Sequence, residues 1–79
     1  MDTMKTIQSI LSEIKPTKDL NGINDIVEGG YLDSFELMSL ISRLSDVFQI
    51  EIGFEEITPE NFNSVEAICG MVQRLTEVQ

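Results

Sequence analysis

The chain contains no histidine, one cysteine and only five lysines and arginines against fourteen aspartates and glutamates in 79 residues. Each shortage excludes a class of chemistry. Without histidine there is no Ser/His or Cys/His nucleophile pair, because neither hydroxyl nor thiol has the usual base to activate it. A single cysteine, Cys69, forms no intramolecular disulfide and no zinc cluster. It stands beside the apolar stripe of the last predicted helix, where a free cysteine behaves as a small buried hydrophobe. No run approaches the roughly 18 apolar residues of a membrane span. The opening Met-Asp-Thr-Met-Lys-Thr has no apolar core of a signal peptide. The expected compartment is therefore reducing and cytoplasmic.

The scarcity of positive charge is uneven. Residues 1–18 hold Lys5, Lys15 and Lys18 against Asp2 and Glu13, whereas residues 19–79 hold twelve acids against Arg43 and Arg74. With a net charge of −9, the surface repels nucleic-acid phosphates and anionic lipid. It suits basic patches on other proteins, or simply solubility. Glu51, Glu55, Glu56 and Glu60 lack the spacing of a calcium loop and read as a solvated acidic rim, so no metal site is expected. Gly29-Gly30 lacks the spacing and the lysine of a phosphate-binding loop.

What is present is helical periodicity in one domain spanning residues 1–79. A 42% hydrophobic content is enough for one core in a chain of this length. Met4, Ile7, Leu11 and Ile14, with Ile10 alongside, form one apolar stripe, and Pro16 stops that helix. Residues 16–33 form a long connection rich in turn formers. Its Leu20, Ile23, Ile26, Val27, Tyr31 and Leu32 are apolar anchors that predict an ordered loop. A second helix is predicted over 34–48, with Leu37, Leu40, Ile41, Leu44 and Phe48 facing the core. Asp33 caps its start and Glu36 completes a capping-box pair. Residues 50–54 alternate like a strand but have no second strand to pair with, so an extended link is expected. Thr58-Pro59 predicts a single helical turn with Thr58 as cap. A last helix starting near Asn63 or Ser64 carries Val65, Ile68, Met71, Val72 and Leu75. The expected fold class is all-α: a four-helix bundle, three helices long and one short, with a long ordered loop between helices 1 and 2.

Ser34 then becomes the residue of interest. It follows Glu28-Gly29-Gly30-Tyr31 at the head of the second helix, with no base of its own. On local sequence it is either part of a helix cap or a handle for another enzyme. Phe35 and Met38 lie outside the core stripe on the side of Ser34, with Ser42 one turn further on, a pattern that suggests a contact surface. A phosphodiester on Ser34 would sit at the positive end of the helix dipole.

The segment Leu32-Asp33-Ser34-Phe35-Glu36-Leu37 resembles the Asp-Ser-Leu attachment motif of acyl carrier proteins. Phe48-Gln49-Ile50-Glu51-Ile52 is similar to the family's Phe-x-Ile-x-Ile, and residues 61–68 are similar to the stretch leading into its last helix. The resemblance spans essentially the whole chain and implies a bundle of acyl-carrier type. It implies that Ser34, within a motif that includes Asp33, accepts 4'-phosphopantetheine from coenzyme A. The arm's thiol then carries an acyl or aminoacyl thioester. The carrier catalyses nothing itself. The implied partners are a phosphopantetheinyl transferase, an acyl- or aminoacyl-activating ligase and downstream transferring enzymes, met as a monomer. Phe35, Glu36, Met38 and Ser42 are the expected partner-contact residues. Phe35 stands where fatty-acid carriers usually have Leu, and Ser39, Ser42, Arg43 and Ser45 occupy a face where acids are usual. The pattern looks closer to D-alanyl and peptidyl carriers. A fatty-acid carrier and a helical interaction module without covalent cargo are the alternatives.

Overall fold

Asp2 begins the first helix by accepting the Lys5 backbone N–H on its side chain, at 3.3 Å. The computed structural model describes residues 2–78. Helix α1 covers Thr3–Ile14, α2 Ser34–Phe48, α3 Pro59–Phe62 and α4 Val65–Val78, with a 3-10 turn at Phe54–Glu56 before α3. The described residues are all-helical, with no strand, as the periodicity predicts. α1 packs against both α2 and α4, and α3 rests on α4. The radius of gyration is 11.4 Å, close to the roughly 11.6 Å of a compact chain of this length. The long loop is therefore folded onto the bundle rather than extended from it.

The core consists of the predicted stripes. Ile7, Ile10 and Leu11 of α1, Leu40, Ile41 and Leu44 of α2, and Val65, Ile68, Met71, Val72 and Leu75 of α4 are all buried. Met4, Ile14, Leu37 and Phe48 are partly buried against this core, so each stripe fades at its ends. Phe62 fills the space beneath α3, and Cys69 lies in the core beside Ile68. No charged or polar residue is buried among those described.

The loop over 16–33 is anchored as its apolar residues predict. Leu20, Ile26 and Leu32 are buried, with Ile23, Val27 and Tyr31 packed against the core. Its backbone is held by Asn63, just after α3. The Asn63 side-chain oxygen accepts the N–H groups of Val27 and Glu28 at 3.0 and 3.1 Å. Its amide donates to Glu28 at 2.7 Å, and its carbonyl accepts the Ile26 N–H at 3.0 Å. An Asn63→Ala variant is expected to lose about 1–3 kcal/mol, since two loop donors lose their acceptor. Chemical denaturation measures the loss, and the fastest gain in amide exchange should fall on Val27 and Glu28. Gly29 is required by close approach, because a Cβ there would lie 2.6 Å from the Asp25 carbonyl oxygen. Gly30 has φ +76° and completes the turn into Tyr31.

Two local expectations are corrected. The extended link stops at Gly53, and Phe54 opens a 3-10 turn in which the Glu56 N–H donates to the Gly53 carbonyl at 2.9 Å. That turn is held by distant partners. Arg74 of α4 grips the Glu56 carboxylate at 2.6 and 3.1 Å, and Asn61 donates to the Glu56 carbonyl at 2.8 Å. Thr58 occupies the cap position of α3, but its side chain makes no capping hydrogen bond. Its carbonyl instead accepts the Asn61 N–H. α4 begins at Val65, next to the expected Asn63 or Ser64, with Ser64 Oγ accepting the Ala67 N–H at 3.0 Å while Asn63 is committed to the loop.

Candidate functional site

Leu32 is buried and Ser34 two residues later is exposed, so the chain leaves the core as α2 begins. Asp33 between them has extended geometry, φ −83° and ψ 179°, and forms the capping box its sequence predicts. Asp33 Oδ1 accepts the Glu36 N–H at 2.7 Å, and Glu36 Oε1 accepts the Asp33 N–H at 3.0 Å. The Asp33 carbonyl accepts the Leu37 N–H at 2.9 Å. Ser34 is the first residue of α2 and takes no part in this cap. One oxygen of each of the two carboxylates nearest to it in sequence therefore accepts a backbone N–H.

The four expected contact residues divide. Phe35 and Met38 are 80% and 59% exposed, and Ser42 is exposed with them. A phenylalanine this exposed on the first turn packs little against the core. Glu36 does not share this outward placement. Besides the cap, both its carboxylate oxygens lie 3.2 Å from Lys15 Nζ at the end of α1. An open groove of about 580 Å³ runs between α1 and α2 from this point, bordered by Ile14, Phe35, Ser39 and Ser42. The Arg43–Glu13 ion pair crosses it.

Other candidate chemistry is accounted for. Burial pushes the Cys69 thiol above its ordinary pKa, and the Asp2 and Glu66 carboxylates push the same way, so the thiolate is disfavoured. The Arg74 hydrogen bond holds the Glu56 carboxyl below its usual value. No group of three metal-ligating side chains exists among the described residues. None of the described helices is long and apolar enough to cross a membrane.

Sequence reasoning missed Lys15 and Phe54. Lys15 reaches Glu36 across 21 residues, a separation that no helical spacing reveals. Phe54 is 91% exposed. The alternation of Ile50, Ile52 and Phe54 gives all three one face, but Gly53 turns the chain before that pattern can be completed. The flanking Gly53 and Glu55-Glu56 are the only local sign of this break.

Compared with known proteins, the chain matches no family model and none of the curated proteins.

Proposed function

We propose that the protein is a carrier that receives a 4'-phosphopantetheine arm on Ser34 and presents an acyl or aminoacyl thioester to partner enzymes. The observation that carries this reading is an exposed serine at the first position of a fully capped helix, with no histidine in the chain and both neighbouring carboxylates engaged. Such a hydroxyl is set out for another enzyme and equipped for no reaction of its own. In the transfer, the Ser34 hydroxyl attacks the phosphorus of coenzyme A that bears the pantetheine. The new O–P bond replaces the bond to the nucleotide phosphate, and the serine proton passes to a base of the transferase. The phosphodiester that results lies at the N-terminus of a 15-residue helix, where a negative charge is favoured.

The similarity of the serine motif and the acid-poor face of α2 support an aminoacyl or specialised acyl cargo over a fatty-acid chain. A cytoplasmic monomer working with a separate activating ligase fits this reading. The test is intact mass after incubation with coenzyme A and a broad-specificity phosphopantetheinyl transferase. One added arm is expected. No gain with any such transferase would overturn the carrier reading in favour of an interaction module without covalent cargo.

Phe35 and Met38 belong to the partner face in this proposal. Phe35→Ala and Met38→Ala are each expected to raise the transferase's KM for the carrier. Neither should change stability by more than about 0.5 kcal/mol, since both side chains are already solvated. Paired kinetics and thermal melts check this.

A further inference from the structure

We propose that Lys15 is a positioning residue for Ser34: from the end of α1 it holds the capping box of α2 closed, and so fixes the direction in which the serine hydroxyl is presented. The consequence for modification rests on the carrier reading, whereas the mechanics of the clamp do not.

Lys15 is itself fixed. Its N–H closes α1 onto the Leu11 carbonyl at 2.8 Å, and Pro16 follows it directly. Its ammonium lies 3.2 Å from both oxygens of Glu36. Glu36 Oε1 also accepts the Asp33 N–H, and Asp33 Oδ1 accepts the Glu36 N–H. The result is a chain of contacts, from Lys15 to Glu36 and from Glu36 by two reciprocal hydrogen bonds to Asp33, across the backbone of Ser34. The side chains of Lys15 and Glu36 are only 31% and 20% exposed, so the pair is screened less than an open surface pair.

This chain of contacts acts where a helix is weakest. Helix ends fray, and Ser34 is the first helical residue. Lys15 also offsets the like charge of two carboxylates held three residues apart. Removing it frees Glu36 to turn toward water, which takes away the acceptor for the Asp33 N–H. Ser34 Oγ then sweeps a wider range while the rest of the bundle stays folded. Displacement of a phosphate ester needs its attacking oxygen in line, and a misplacement of about 1 Å costs up to about 10²-fold. The effect therefore falls on kcat of the arm transfer, with KM for coenzyme A unchanged.

Two measurements decide the matter. By amide exchange, Lys15→Met should speed the Asp33, Glu36 and Leu37 amides about threefold or more while the Ile68 amide in the core is unaffected, and Lys15→Arg should restore the wild-type rates. Arg43→Met cuts the other α1–α2 ion pair and should leave the two α2 amides within about twofold of wild type. With coenzyme A and a broad-specificity transferase, Lys15→Met should lower kcat about 3–10-fold, with recovery in Lys15→Arg. Unchanged exchange in Lys15→Met overturns the clamp. A modified wild type whose kcat is matched by Lys15→Met overturns the positioning role alone. A wild type that takes no arm overturns the carrier reading, and the positioning role with it.

Discussion

A Ser34→Ala variant is expected to gain no arm under conditions in which the wild type is fully modified, and to unfold within about 0.5 kcal/mol of it. The two halves of this result depend on different groups. Modification needs the hydroxyl, and among the described residues Ser34 is exposed at the head of its capped helix, whereas Thr3, which heads α1 behind the Asp2 cap, is half-buried. Stability does not need it, because the cap is built from Asp33 and Glu36, whose mutual hydrogen bonds at 2.7 and 3.0 Å leave Ser34 outside. Alanine is also the better helix former by roughly 0.5 kcal/mol, which offsets any small loss at the first position. Intact mass and thermal melts on the same samples separate the two. A variant that still gains one arm would place the attachment elsewhere. A variant that loses both the arm and several kcal/mol would show that Ser34 has a structural role in the cap.

This separation between a modified residue and the groups that support it follows how much of the molecule can be read locally. The α1 and α2 stripes, the stop at Pro16 and the cap of α2 all depend on residues within four positions of one another, and each appears where its spacing puts it. Ser34 as the head of α2 was legible for the same reason. The features that escaped local reading are bonds between distant segments. Arg74 holds the 3-10 turn through Glu56, Asn63 holds the loop through Val27 and Glu28, and Lys15 holds Glu36. In each case a polar side chain supplies what the periodicity of neither segment encodes. The same fact bears on Glu36, expected as a contact residue: it lies one turn before buried Leu40 at the edge of the core stripe, and a lysine 21 residues earlier engages its carboxylate.

Leu40→Ala should cost about 2–5 kcal/mol, a loss matched on α2 by truncation of the equally buried Leu44. Leu40 is fully buried at the middle of that helix, between the half-buried Leu37 and the buried Leu44 on the same face. Truncation removes its burial and leaves a cavity whose cost depends on whether the neighbours can close in. α2 is held by its capping box, by Lys15 and by the Arg43–Glu13 pair, so little inward movement is open to it. A value in the upper part of the range is therefore expected. For a chain of 79 residues, total stability is on the order of 4–12 kcal/mol, and the melting temperature should fall by roughly 10–30 °C. Phe54 gives the contrast. It is a larger side chain but 91% exposed, so Phe54→Ala should change stability by no more than about 0.5 kcal/mol. Parallel denaturant titrations of the two variants test the division of apolar residues between core and surface. If Phe54→Ala proved as damaging as Leu40→Ala, Phe54 would have to be packed against the bundle in solution. The assignment of outward-facing apolar residues, Phe35 and Met38 included, would then fall with it.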